Sequence, residues 1–187
     1  MLKKLFLLCV VLVVLLAAIG FVLPGSFTIE NSITVAAKPG AIYATVADLR
    51  TWPEWTVWNR EADPKVEWSW SGASSGKGAI WSWKGDSLGT GTLTIDSGSP
   101  ESGIAYTMTM EGMNPVQGNI LLTAQGDATL VRWSDKLDMG MNPAWRWMGL
   151  IMKGVLGSQF EKNLKNLKAR VEGKSGTGKP VDASLKK

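Results

Sequence analysis

Between Lys65 and Leu137 the chain is a succession of short alternating runs: KVEWSW, GAIWSWKG, GTLTID, IAYTMTM, VQGNILLTA and ATLVRWSDKL. Gly, Ser, Asp and Pro separate them, and only one long helical segment follows. This order constrains the fold more than any other feature. In IAYTMTM, Ile104, Tyr106, Met108 and Met110 share one face, while Ala105, Thr107 and Thr109 share the other. That alternation marks a half-buried antiparallel strand. Six such strands in succession form a meander with an apolar face that it cannot cover itself. The segment large enough to cover it opens at Asn142-Pro143 and continues as WRWMGLIMKGVLGSQFEKNLKNLKARVE, 28 residues. Leu156, Phe160, Leu164, Leu167 and Val171 make an apolar stripe along it, with Lys162, Lys165 and Lys168 mostly off the stripe. Upstream, SFTIENSITV reads as a further strand. KPGAIYATVADL reads as a short helix opened by Pro39, with Ile42, Val46 and Leu49 on one face. TWPEWTVW reads as a second short helix. The fold class is α+β: a curved antiparallel sheet of about seven strands wrapped around a long C-terminal helix. A gap is expected where sheet and helix diverge.

The N-terminus stands apart. MLKK precedes Leu5 to Leu23, 19 uncharged and mostly apolar residues ending at Pro24-Gly25. As a helix this run spans about 28 Å, close to the thickness of a hydrocarbon core. A cleaved signal peptide shares the basic start, but its apolar region is usually shorter, and Ala17-Ala18-Ile19-Gly20 is a poor cleavage site because the run continues through Leu23. The run is read as a retained single-pass anchor, residues 1–24, with a signal peptide as the alternative. Lys3 and Lys4 place its N-terminus in the cytoplasm and the domain, residues 25–172, in the periplasm or outside the cell. Residues 173–187, GKSGTGKPVDASLKK, read by composition as a disordered Lys-rich tail.

Charge and chemistry exclude several classes. Of the net charge of +4, Lys3 and Lys4 supply two and the tail three, so the body carries −1. No basic stripe is present to neutralise phosphates, so no nucleic-acid partner is expected. The chain has no histidine, and its single cysteine, Cys9, lies in the apolar run. Ser-His-Asp, Cys-His and His-metal chemistry are thereby excluded. No metal or cofactor is expected. Glu67, Asp135, Asp138 and Arg132 read as solvated strand-edge charges, and no catalytic residue is nominated.

Seven of the ten tryptophans crowd between Trp52 and Trp83. Trp52, Trp55 and Trp58, spaced by three, lie together on a helical turn and pack the short helix on the sheet, line an entrance, or form a binding platform. Pairing across the Ser71–Ile80 loop sets Trp70 opposite Trp81 and Trp68 opposite Trp83, all four on one face. Whether that face is the inner or the outer one stays open. Gly149, Gly154 and Gly157 are costly in a helix unless it needs close approach, room beside a cavity or an irregular stretch.

These elements resemble the SRPBCC superfamily, the START and birch-pollen-allergen-like helix-grip fold, and specifically its polyketide-cyclase/dehydrase-like members. The resemblance covers about Phe27 to Glu172. It is carried by Ala37-Lys38-Pro39, by Val46-Ala47-Asp48-Leu49-Arg50-Thr51-Trp52-Pro53-Glu54-Trp55, by Gly76-Lys77-Gly78, Trp83-Lys84-Gly85 and Gly89-Thr90-Gly91, by Thr129-Leu130-Val131-Arg132-Trp133, and by the closing Phe160-Glu161, Leu164, Leu167 and Val171-Glu172. Order and spacing together make the match. Ala128 departs from the glycine that relatives often carry. The resemblance implies a seven-stranded sheet gripping the long helix around a deep apolar cavity that binds lipids, polyketides or other hydrophobic molecules. On that fold the cavity candidates are Trp55, Trp70, Trp81, Trp83, Tyr106, Met108, Met110, Trp133, Trp145, Met148 and Met152. Methionine adapts to irregular shapes, which suits varied apolar ligands. The expected function is membrane-tethered binding of a hydrophobic small molecule or lipid for delivery, sensing or sequestration. The alternatives are a cell-envelope module that binds glycan or protein through exposed tryptophans, and a cyclase- or dehydratase-like enzyme.

Overall fold

The computed structural model describes residues 2–173. The expected disordered tail, beyond Gly173, lies outside the described residues. The elements run α1 (Leu2–Val22), β1 (Ser26–Val35), α2 (Pro39–Val46), a 3-10 turn (Leu49–Thr51), α3 (Trp52–Trp55), β2 (Glu67–Gly72), β3 (Ala79–Lys84), β4 (Thr90–Ser99), β5 (Gly103–Met110), β6 (Val116–Gln125), β7 (Ala128–Asp138) and α4 (Pro143–Val171). Each alternating run forms a strand. GTLTID extends to Ser99 through a bulge between Ile95 and Ser97, where Asp96 has no opposite residue. The bulge flips the inward parity and bends the strand.

The seven strands form one antiparallel sheet in the order β1-β7-β6-β5-β4-β3-β2. β2 to β7 are a meander, and β1 pairs with β7 from Ser26↔Asp138 to Val35↔Thr129. The segment from α2 to α3 therefore carries the chain from one edge of the sheet to the other. α4 lies along the concave face, where its Phe160, Leu164 and Leu167 are buried. Asn142 caps α4 by accepting from the Ala144 N–H at 2.9 Å, and Pro143 fills the first turn. Gly149 allows close approach, since a Cβ there would come 2.9 Å from the Phe27 ring. Gly154 and Gly157 face open space and have no such packing reason.

One expectation needs correcting. Trp52, Trp55 and Trp58 do not share a helix, because α3 ends at Trp55. The Thr56 N–H and hydroxyl both bond to Trp52 O, at 2.9 and 2.8 Å, and Thr56 turns extended. Trp58 then returns from the following loop and stacks on Trp52 at 6.3 Å between centroids. Trp52 and Trp55 are buried, so they offer no platform to solvent. Asn163 ties this segment to α4, its Oδ1 accepting from the Val57 N–H at 2.7 Å.

Candidate functional site

The gap between sheet and helix is a cavity of about 230 Å³. β3 contributes Trp81 and Trp83, β4 contributes Leu93, β5 contributes Met108 and Met110, β6 contributes Val116, β7 contributes Leu137, and α4 contributes Met152 and Leu156. Trp58, Ser87, Leu88 and Met113 close it from loops. Strand alternation puts these sheet residues on the concave face, and β2 extends the face through the observed pairs Trp68↔Trp83 and Trp70↔Trp81. Trp81 and Leu93 are fully buried at the bottom, whereas Trp58, Leu88, Met110, Met113, Met152 and Leu156 are half-buried and form the rim. Among the described residues no charged side chain lines the cavity. Trp81 Nε1 is buried without an acceptor.

One rim is fixed by Asp63. Its Oδ2 accepts from the backbone N–H of Ser87 and Leu88, at 2.7 and 3.0 Å, and its Oδ1 from Lys65 N–H at 3.2 Å. Trp83 Nε1 donates to Leu88 O at 3.3 Å, so Leu88 is held from both sides. The hydrogen bonds from Leu88 and Ser87 hold the Asp63 carboxyl below its ordinary value. Its stabilising contribution is therefore present above the ordinary pKa of 3.8 and is lost as the pH falls through the lower folded value. Asp63→Ala is expected to lower stability at neutral pH and to bring the variant and the parent together in acid. Comparison of their acid-unfolding curves checks this, and parallel curves at all pH values count against the assignment.

Beside the cavity, but not lining it, is a buried polar triad. The Tyr106 hydroxyl donates to Asp135 Oδ1 at 2.5 Å, and Trp133 Nε1 donates to the Tyr106 oxygen at 2.8 Å. Burial pushes the Asp135 carboxyl up to about 7 and, with the neighbouring carboxylate, pushes the Tyr106 phenol well above its usual range. Asp135 is thus not a solvated charge. The alternation that turns Val131, Trp133 and Leu137 inward turns Asp135 inward too. Among the described residues no group of three or more Cys, Asp or Glu is placed to hold a metal ion.

The structure brings Trp81, Trp83, Met108, Met110 and Met152 together in the cavity wall. It places the other candidates elsewhere. Trp55 and Trp133 are packed in the solid core with rings 5.6 Å apart, and Tyr106 is bound to Asp135. Trp70, on the inner face of β2 beside the 3-10 turn, donates its indole N–H to Leu49 O at 3.3 Å. Trp145 and Met148 are exposed on α4. In the first half of α4 apolar residues cover most of the circumference and only Arg146 and Lys153 mark a polar side, so its sequence says little about which side faces inward. Leu93, Val116 and Leu137 also line the cavity, and period-2 alternation alone was the signal for them.

The sequence matches the family described as polyketide cyclase / dehydrase and lipid transport over residues 26–172. Solved structures of similar fold include a START superfamily protein from Mycobacterium smegmatis, 16% identical with a TM-score of 0.56, the match covering 78% of this chain and 97% of that one. A protein from Thermus thermophilus is 13% identical with a TM-score of 0.57, covering 79% and 98%. The Aha1 dimer from Colwellia psychrerythraea is 15% identical with a TM-score of 0.57, covering 80% and 99%. At such identities the likeness is one of fold. No curated protein matches the sequence. With a family match across the whole sheet-and-helix body and the START-like helix-grip architecture itself, the chain belongs to the polyketide cyclase / dehydrase and lipid transport family.

Proposed function

We propose that the protein binds a hydrophobic small molecule or lipid in the cavity between sheet and α4, held at a membrane by α1. The observation that carries this reading is the lining: among the described residues it is tryptophan, leucine, valine and four methionines, with Ser87 the one hydroxyl and no charge. Each 100 Å² of ligand apolar surface buried there contributes about 2.5 kcal/mol. The half-buried methionines of the rim suit ligands of varied shape. The family description, which includes lipid transport, agrees with this class of ligand.

α1 is long and apolar enough to cross a membrane, and a signal sequence passes the same test. We take it as a retained anchor, residues 1–24, with Lys3 and Lys4 on the cytoplasmic side and the 25–172 domain on the other. Catalysis is the weaker reading, since the buried Tyr106 and Asp135 do not line the cavity. Exposed-tryptophan recognition is weaker still for Trp52 and Trp55, which are buried.

Native mass spectrometry of the full chain extracted from membranes in mild detergent tests the proposal. Bound apolar molecules are expected on the parent and are expected to vanish from Met152→Trp, whose added ring fills the cavity at a cost to stability of about 1–3 kcal/mol. Recovery of no apolar ligand, together with no change in tryptophan fluorescence on titrating a panel of lipids, sinks the reading.

A further inference from the structure

α4 changes character along its length. From Pro143 to Gln159 its charged residues are Arg146 and Lys153 alone, whereas Glu161, Lys162, Lys165, Lys168 and Arg170 follow. The first half nevertheless exposes Trp145 (45%), Met148 (44%), Leu150 (52%), Ile151 (66%) and Val155 (54%). Five large apolar side chains on one stretch of a helix are far more than scattered surface exposure, and in water they form an aggregation-prone patch.

The same stretch is joined to α1. Trp147 Nε1 donates to Leu16 O at 2.9 Å, and the Arg146 guanidinium donates to Phe21 O and Leu23 O at 2.8 and 3.0 Å. Gly20 is buried under Pro143, where a Cβ would come within 3.1 Å of the Pro143 backbone. The charge of Arg146 is thus spent on the carbonyls that end α1. Leu16 lies seven residues before Leu23, the end of the apolar run, or about 10 Å along the helix axis. If α1 spans a bilayer, the indole of Trp147 sits about 10 Å inside the outer end of the span. Helices lying in a membrane interface bury their apolar face about 5–10 Å deep, and tryptophan concentrates there. Lys153, a long side chain, reaches back to water from such a depth.

We infer that Trp145 to Val155 of α4 is a second membrane contact, lying in the interfacial zone of the leaflet from which α1 emerges. The inference rests on the reading of α1 as a retained anchor. It makes α1 and α4 a rigid clamp that holds the domain in one orientation, not a tether from which it swings. Because Met152 and Leu156 of this stretch line the cavity, the cavity wall is also the membrane contact, and an apolar ligand passes between them without crossing water.

The test uses the full chain in phosphatidylcholine/phosphatidylglycerol vesicles. In a Cys9→Ser background, Ile151→Cys, Val155→Cys and Lys165→Cys are each labelled with an environment-sensitive fluorophore at an exposed position. Labels at 151 and 155 are expected to show blue-shifted emission and quenching by lipids spin-labelled near the headgroup. The label at 165 is expected to stay aqueous. Aqueous emission at all three positions overturns the inference. So does a blue shift without lipid quenching accompanied by cross-linking between copies, which makes the patch a dimer interface. Intact mass and resistance to alkaline extraction from native membranes report on α1 separately. A chain cleaved near Gly25 sinks the anchor reading, whereas a retained α1 with aqueous labels at 151 and 155 sinks this inference alone.

Discussion

Trp52→Ala is expected to destabilise the domain by about 3–5 kcal/mol, a large share of the roughly 5–15 kcal/mol that holds a typical domain together. Trp52 is fully buried and is the hub of the aromatic core. Its ring meets Trp55 at 5.1 Å, Tyr106 at 5.7 Å, Trp133 at 5.6 Å and Trp81 at 6.3 Å. Removing it leaves a void among neighbours that are themselves large and rigid, so the site collapses poorly. It also leaves Val46 O without the indole N–H that bonds it at 2.9 Å. Trp58 loses the ring on which it stacks, and with it one side of the cavity rim. Trp52→Phe keeps most of the packing and is expected to cost about half as much. Urea unfolding of the three proteins in the same detergent decides this. A loss for Trp52→Ala below that of an ordinary surface substitution, about 0.5 kcal/mol, is incompatible with the hub role.

Much of this architecture was legible because period 2 and period 3.6 are hard to confuse over a long run. The pairing of Trp68 with Trp83 and of Trp70 with Trp81 followed from symmetry about one loop. The helix stripe Phe160, Leu164 and Leu167 followed from spacing. What stayed illegible has identifiable causes. Spacing by three reads the same whether Trp58 continues a helix or returns to Trp52 from a loop, and the Thr56 hydroxyl decides between the two by closing the helix on Trp52 O. In the first half of α4, apolar residues cover most of the circumference, with Arg146 and Lys153 the charged exceptions, so periodicity carries little direction there, and Trp145 and Met148 are exposed. Membership of a face also differs from membership of a cavity. Trp133 and Tyr106 share the inward face with Met108, yet Trp133 packs against Phe160 at 4.6 Å where the helix lies close, and the cavity opens beyond it. How far α4 stands from the sheet is a tertiary quantity that no local pattern encodes.

Stability is expected to fall as the pH rises from about 5 to about 8, and Asp135→Asn is expected to abolish that fall. Asp135 is 3% exposed, and burial lifts its carboxyl from 3.8 to about 7. A carboxyl raised in the folded state binds more protons folded than unfolded. Its contribution is therefore fully present below 3.8 and is lost as the pH rises through the folded value, with a total on the order of 4 kcal/mol. Tyr106, its own phenol pushed up, stays protonated throughout and keeps donating to Asp135. Asparagine preserves an acceptor for that hydroxyl without the charge, so the variant is expected to come nearest the parent below about pH 4 and to exceed it increasingly up to about pH 8. Tyr106→Phe separates burial from bonding: with the donor gone the ionised carboxylate is poorer still, and the fall is expected to extend to higher pH. The site is built to tolerate the polar pair and nothing larger. A Cβ on Gly118 would stand 2.5 Å from Asp135 Oδ1, so glycine is what lets β6 pass over the hydrogen bond. Urea midpoints across the pH range, read for the parent and both variants, decide the matter. A flat parent profile from about pH 5 to 8 means that Asp135 is ionised in the fold at little cost, and that outcome overturns the prediction.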